Sequence, residues 1–129
     1  MPLEDSTHPQ DWLRIAEKDV ARVRVMLDAD DPEAAGFYLQ QSLEKYLKAF
    51  LLSKSWRLKR THDLEVLLND ALRHDPSLEE FRGLCQEVTD FYIVERYPFT
   101  GDTGITDEDV TTVLDEAKRL IERLKSRIK

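Results

Sequence analysis

Apolar residues recur at every third or fourth position along most of this chain, and a proline or a turn signal separates each such run from the next. This period is typical of amphipathic helices, and no stretch shows the alternation of a half-buried strand. Short connections between long helices favour antiparallel neighbours. The 129 residues therefore predict one all-α domain, an antiparallel up-and-down four-helix bundle with an additional short helix. We expect residues 1–8 to form an N-terminal tail and residues 9–129 to form the domain.

The breaks between the apolar runs predict five helical segments. The first three cover about residues 9–27, 32–53 and 62–73, the fourth runs from about residue 75 towards Pro98, and the fifth begins after Thr106. The second segment is the most apolar, so we expect it to be the central helix. The predicted caps of the first four helices are Thr7, Asp31, Thr61 and Ser77. The predicted core includes Trp12, Ile15, Val20, Leu39, Leu43, Leu47, Leu84, Val88, Val113 and Leu120.

The charge balance limits which partners the chain could bind. Its formal net charge is −7, which argues against binding nucleic acid through the overall field of the protein. A local patch could still do so, since a dense positive cluster lies in the longest predicted connection, at Lys54, Arg57, Lys59 and Arg60. No apolar run approaches the roughly 20 residues that cross a bilayer, and the acidic N-terminus is unlike a signal peptide. We therefore expect a cytoplasmic protein.

Few residues could hold a metal or a cofactor. The single cysteine, Cys85, cannot form an intrachain disulfide, and its place on the apolar face of the fourth helix predicts a buried structural thiol. The three histidines have no cysteine or carboxylate at ligand spacing, so we expect no metal site. Glycine-rich phosphate loops and the glycine-flanked serine of hydrolases are absent, so no cofactor is expected.

A polar band interrupts the apolar surroundings of the second helix. Gln40, Glu44 and Lys48 follow at four-residue steps and share one face, with Gln41 and Lys45 beside them. Glu44 and Lys48 stand in the favourable order for an ion pair along a helix. The band is either the solvated face of an amphipathic helix or the polar floor of a pocket, and the sequence leaves both interpretations open.

One arginine–histidine pair is compatible with metal-free RNA cleavage. Arg57 precedes His62 by five positions. Histidine could move the proton of a 2′-hydroxyl, and arginine could stabilise the charge that builds on the phosphate. Short motifs of this kind arise by chance. The alternative is a basic loop followed by a histidine in the first turn of the third helix.

Four stretches, taken in their order and spacing, resemble the HEPN family of nucleotide-associated helical bundles. They are residues 12–19 (WLRIAEKD), 40–49 (QQSLEKYLKA), 61–64 (THDL) and 95–98 (ERYP), and the resemblance spans about residues 10–125. It implies a helical bundle that forms a homodimer and pairs with a small nucleotidyltransferase, in several family members as a toxin–antitoxin pair. Active members are metal-independent ribonucleases with an Arg-x(4–6)-His motif shared across the dimer.

The chain departs from the ribonuclease pattern at its expected place. Arg96 stands where the resemblance puts the catalytic arginine, but residues 97–103 contain no histidine. The Arg57/His62 pair lies between the second and third helices, away from that place. The resemblance therefore favours a protein that is not an enzyme.

Three functions remain as hypotheses. The first is a binding module that pairs with a nucleotidyltransferase and holds a nucleotide or another anionic ligand, the second a ribonuclease toxin, and the third a structural homodimer without a ligand. For the first, we expect one polar pocket in which cationic groups bind a phosphate while a carboxylate orients one of them or accepts a ribose hydroxyl. An internal ion-pair cluster that locks the helices together is the alternative. The candidate ligand-binding residues are Glu44, Lys48, His62, Asp63, Arg96 and Tyr97.

Overall fold

The computed structural model describes residues 2–96 and 104–128, with the side chains of residues 92–96 outside the description. Its helices fall where the sequence predicts them, with a 3-10 turn before α1 and another before α4. No strand is present in the described ranges. The five α-helices described are α1 (Pro9–Asp28), α2 (Pro32–Leu52), α3 (Leu64–Leu72), α4 (Arg82–Arg96) and α5 (Asp107–Ser126).

The second helix is the centre of the bundle, as predicted, because α1, α3, α4 and α5 all pack against it. Its first turns face the last turns of α4, where Gly36 lies against Phe91. At its other end, Lys54 Nζ donates to the carbonyl of Arg127 after α5, over 3.0 Å. The four long helices therefore run alternately up and down, and the predicted bundle is confirmed.

The short third helix runs in the same direction as α2. Before α3 begins, the carbonyl of His62 accepts a hydrogen bond from Gln40 in the first half of α2. After α3 ends, the ring of His74 meets the edge of Phe50 near the end of α2. Residues 53–63, called the basic loop below, therefore return along α2 before α3 starts. This return places polar loop residues beside the middle of the central helix.

The core confirms most of the predicted buried positions. Of the ten predicted, Trp12, Leu39, Leu43, Leu47, Leu84, Val88, Val113 and Leu120 are buried. Ile15 and Val20 are only partly buried. Val20 still packs against the core and belongs to its margin, whereas the assignment of Ile15 to the core is wrong. The physical reason is that α1 packs chiefly against one helix, α2. Cys85 is buried as predicted, and burial raises the pKa of its thiol to about 12.

The helix caps correct three details of the sequence interpretation. His8 precedes α1 without a side-chain cap, so the box predicted at Thr7 does not form. Asp63, not Thr61, caps α3, and its carboxylate accepts from the backbone N–H groups of Glu65 and Val66. Asp75, not Ser77, caps the 3-10 turn Pro76–Phe81 that precedes α4. Threonine, serine and aspartate are all good caps, so residue type alone did not decide between neighbours.

Replacing Gly36 by alanine should lower the free energy of unfolding by about 1–3 kcal/mol, the usual cost of overpacking a core. A Cβ at Gly36 would lie 2.8 Å from the Cβ of Phe91, so α2 and α4 would have to separate. Gly83→Ala is the matched control, because its added Cβ meets nothing within 4 Å and alanine favours the helix. Urea unfolding of both variants tests this, and equal stabilities would contradict the close helix contact.

Candidate functional site

The polar band of α2 is buried. Gln40 is 1% exposed, Glu44 is 3% exposed and Lys48 is 3% exposed. The interpretation of this band as a solvated helix face is therefore wrong for these three residues. Lysine and glutamate are almost never fully buried unless they are paired, so their partners decide what the band can do.

Glu44 is the acceptor at the centre of the band. One carboxylate oxygen lies 3.0 Å from Lys48 Nζ, one turn further along α2. The other lies 2.9 Å from Nδ1 of His62, so the imidazole N–H donates to it from the basic loop. The side chain of His62 is 60% exposed, whereas Glu44 and Lys48 are enclosed. The band thus runs from a buried ion pair to a ring that solvent can reach.

Trp12 of α1 covers the Lys48 end of the polar band. Its ring faces Lys48 Nζ at 5.0 Å from the ring centre, which is cation–π distance. Its indole N–H donates to the carbonyl of Ser6 over 3.0 Å, which fixes the ring in the segment just before α1. Lys48 is therefore stabilised by a carboxylate on one side and an aromatic face on the other.

A pocket of about 300 Å³ opens above this band, called the α2 pocket below. Its floor comes from α2, one wall from α1, and the other wall from the basic loop. The 3-10 turn Leu3–Asp5 lies at its margin, and the Arg60 guanidinium holds that turn by pairing with Asp5. The lining residues are Pro2, Leu3, Glu4, Trp12, Gln41, Glu44, Lys45, Lys48, Arg60 and His62.

A second buried carboxylate fixes Lys45 at the edge of the α2 pocket. Asp19, 1% exposed on α1, accepts from both Lys45 and Arg22. Because α1 supplies the acid and α2 the lysine, this pair joins the two helices beside the pocket. The lysine stem lines the pocket while its ammonium group is directed by Asp19.

The predicted site residues fall into three groups. The structure brings Glu44, Lys48 and His62 together in the α2 pocket. Asp63 lies next to His62, but its carboxylate caps α3, accepting from Glu65 N at 2.9 Å. The helix N-terminus at α3 is thus occupied by the chain's own carboxylate. Arg96 ends α4 with a side chain outside the described residues, and Tyr97 lies wholly outside them.

Sequence reasoning missed several residues that line this pocket. Trp12 was assigned to the core, which is correct, but it also forms a wall. The sequence places Arg60 only in a positive cluster and predicts a tail around Leu3. The one available signal is position, since Arg60 and His62 line the α2 pocket whereas Arg57 and Lys59 line another.

Arg57 and His62 do not share a pocket in the described part of the chain. His62 lines the α2 pocket, whereas Arg57 lines a separate pocket with the end of α3. The arrangement therefore gives no support to this pair as a cleavage site. No group of three or more histidine, cysteine or acidic side chains with metal-binding geometry occurs among the residues described. No helix in that part of the chain has the length and hydropathy of a membrane span.

Comparisons with known proteins agree with the fold. The family model described as "HEPN domain" matches residues 9–127. The crystal structure of TT1696 from Thermus thermophilus is similar, with a TM-score of 0.82 and 24% sequence identity. The alignment covers 95% of this chain and 99% of that chain. At this identity the likeness shows the fold alone. Among curated proteins, no significant match is found.

Proposed function

This chain belongs to the HEPN domain family, and from that premise we propose that it is a binding module holding a nucleotide or another anionic ligand in the α2 pocket. The observation that carries the proposal is the buried Glu44–Lys48 pair on the floor of an open cavity. Burying two charges costs several kcal/mol per ion before their attraction is counted. Both residues lie on α2, so the pair itself joins no two helices, and both side chains line the cavity.

The chemistry of the α2 pocket suits a ligand that has both acceptors and donors. Lys48 and the exposed edge of His62 would face a phosphate or carboxylate, and Glu44 would accept a hydroxyl such as that of ribose. Trp12 and Leu3 supply apolar surface for a flat ring. Small-ligand sites combine apolar surface with convergent polar groups. Here seven of the ten lining residues are polar or charged, which favours a polar, charged ligand over an apolar one. Arg96 and Tyr97 belong to the same proposal as further anion-binding groups after α4.

Family membership extends the proposal to partners. We propose a homodimer that pairs with a small nucleotidyltransferase, in the manner of a toxin–antitoxin pair. The ribonuclease alternative would use His62 or Arg96, and the side chain of Arg96 lies outside the described residues. The Arg57/His62 pair does not favour it, since these two residues lie in different pockets. A dimer without a ligand leaves the cavity above the buried ion pair unexplained.

A nucleotide that binds the α2 pocket should raise the melting temperature of the wild type, because binding to the folded state alone stabilises it. At a ligand concentration of about 100 times Kd, the gain is roughly 2.7 kcal/mol. Differential scanning fluorimetry with a panel of nucleotides measures this shift. His62→Ala should reduce the shift strongly, because it removes the solvent-facing polar group of the pocket.

His8→Ala is the matched control for that experiment. His8 is an exposed histidine before α1 that does not line the α2 pocket, so this variant should keep the full shift. Arg96→Ala tests the extension of the site to the end of α4. If no nucleotide shifts the wild type, the ligand proposal fails and only the family and the fold stand.

A further inference from the structure

A second cavity lies on the other side of the basic loop, away from the α2 pocket. It has a volume of about 260 Å³ and is called the α3 pocket below. The basic loop forms one wall and the C-terminal end of α3 forms the other. The residues that line it are Trp56, Arg57, Lys59, Asp70, Arg73 and His74.

One carboxylate organises the floor of the α3 pocket. Asp70 accepts from Trp56 Nε1 at 2.9 Å and lies 2.8 Å from Lys59 Nζ. Burial alone would raise the pKa of Asp70, but the hydrogen bonds from Lys59 and Trp56 outweigh it and the pKa is lowered. The carboxylate is therefore charged at neutral pH, and it is fully used in holding the loop against α3. It neutralises Lys59 and fixes the plane of Trp56.

The two arginines of the α3 pocket have no such partner. Neither Arg57 nor Arg73 forms an ion pair with a described residue, and both are exposed. Most other described arginines are paired with carboxylates, namely Arg22, Arg60, Arg82, Arg119, Arg123 and Arg127. Asp70 also acts on Arg73 through space, but its single negative charge already pairs with Lys59. Three cations, Arg57, Lys59 and Arg73, therefore share one carboxylate and leave the cavity positive in a chain of net charge −7.

From these contacts we infer that the α3 pocket is a phosphate-binding site. Guanidinium groups present fixed forks of N–H donors that match a phosphate in a bidentate way. His74 adds a ring that can donate to the same oxygens, and the fixed face of Trp56 offers an aromatic surface to the group attached to the phosphate. The ligand class is an organic phosphate, a nucleotide or a single strand of nucleic acid. This site is independent of the ligand proposed for the α2 pocket.

A purely structural role for Arg73 makes a different prediction. Arg73 follows the last turn of α3, where a positive charge favours the negative end of the helix dipole. That role would stabilise the protein without any ligand, and it does not involve Arg57, which lies on the loop. A variant that changes both residues therefore separates the two roles, because only phosphate binding requires them together.

The experiment uses the intrinsic fluorescence of Trp56. The chain has two tryptophans, Trp12 and Trp56, so Trp12→Phe leaves Trp56 as the reporter of the α3 pocket. This protein is titrated separately with inorganic phosphate, AMP and a short single-stranded RNA. Arg57→Gln/Arg73→Gln is introduced in the same background. Titration calorimetry on the otherwise wild-type chain, with and without the two arginine changes, gives a second measurement that does not depend on Trp12→Phe.

We expect saturable changes in Trp56 fluorescence, and dissociation constants weakened at least about tenfold in Arg57→Gln/Arg73→Gln, because charged hydrogen bonds are lost. Arg14→Gln/Arg24→Gln is the matched control, since it removes two exposed arginines of α1 that form no ion pair with a described residue. Its dissociation constants for the three probes should lie within about twofold of those of the protein without these changes.

The probes also distinguish the source of the phosphate. Tighter binding of AMP indicates a terminal phosphate, whereas tighter binding of RNA with a strong salt dependence indicates a strand; either result supports the site. Failure of all three probes to bind at Trp56 would overturn the inference. The inference would also be overturned if Arg14→Gln/Arg24→Gln weakened probe binding as much as Arg57→Gln/Arg73→Gln does, because the effect would then come from net charge alone. The two arginine changes alter no residue that lines the α2 pocket, and the calorimetry keeps Trp12, so the test of the α2 pocket stands separately.

Discussion

Replacing Glu44 by leucine should lower the free energy of unfolding by about 3–5 kcal/mol, the usual cost of removing one partner from a buried ion pair. The reason is that Lys48, 3% exposed, would keep its charge with only the face of Trp12 beside it. Urea unfolding followed by circular dichroism measures the change. A loss below about 1 kcal/mol, typical of exposed pairs, would contradict the energetic importance of the buried pair.

The companion variants make this prediction specific to the pair. Lys48→Met should cost less than Glu44→Leu, because His62 still donates to Glu44 after the lysine is gone. In Glu44→Leu/Lys48→Met neither buried charge remains, and apolar replacement of a buried pair is often neutral. The double variant should therefore recover most of the loss. Glu17→Leu is the control, because Glu17 lies 4.0 Å from Lys125 in an exposed pair.

Replacing Trp12 by alanine should also lower the free energy of unfolding by about 3–5 kcal/mol, as large aromatic truncations in a core do. Trp12 is 2% exposed, and alanine would leave both an empty volume beside Lys48 and an unpaired carbonyl at Ser6. Thermal and urea unfolding measure this loss. A small loss would mean that the N-terminal segment collapses onto α1 without the indole.

A graded series separates the two contributions of Trp12. Trp12→Phe keeps an aromatic face for Lys48 but loses the N–H donor to Ser6, so it should cost only about 1–2 kcal/mol. Trp56→Phe is the matched control on the other tryptophan. It removes the donor to Asp70, which still contacts Lys59, and Trp56 is only partly buried. Equal losses for Trp12→Phe and Trp12→Ala would contradict the packing role of the ring.

The sequence predicted the helices well because their signals are local. The signals that define α2 are its apolar periodicity, the proline at its start and the cap at Asp31. Each acts within a few residues, so neighbours in sequence decide where the helix forms. Whether α3 begins after Thr61 or Asp63 depended on two side chains that can both cap. Thr61 instead accepts from the N–H of Asp63, which holds the loop just before the helix.

Burial of the Glu44–Lys48 pair could not be predicted from the periodicity of α2. Charges at four-residue steps look the same in a sequence whether water or another segment faces them. Here the covering groups come from remote parts of the chain, namely Trp12 on α1, His62 on the basic loop and Leu3 in the N-terminal turn. The α3 pocket was hidden for the same reason, since Arg73 meets Arg57 only after the basic loop folds back and α3 packs beside it.

The most direct test of the α2 pocket is a titration of Trp12 fluorescence in Trp56→Phe, where Trp12 is the remaining tryptophan. We expect a nucleotide to change this fluorescence in a saturable way, since the indole forms a wall of the pocket beside Lys48. The same titration in Glu44→Leu/Lys48→Met, in the same background and folded by circular dichroism, should give no saturable change. A Trp12 signal in Trp56→Phe that nucleotides leave unaltered, or a saturable change that persists without Glu44 and Lys48, would contradict a ligand site at this buried pair.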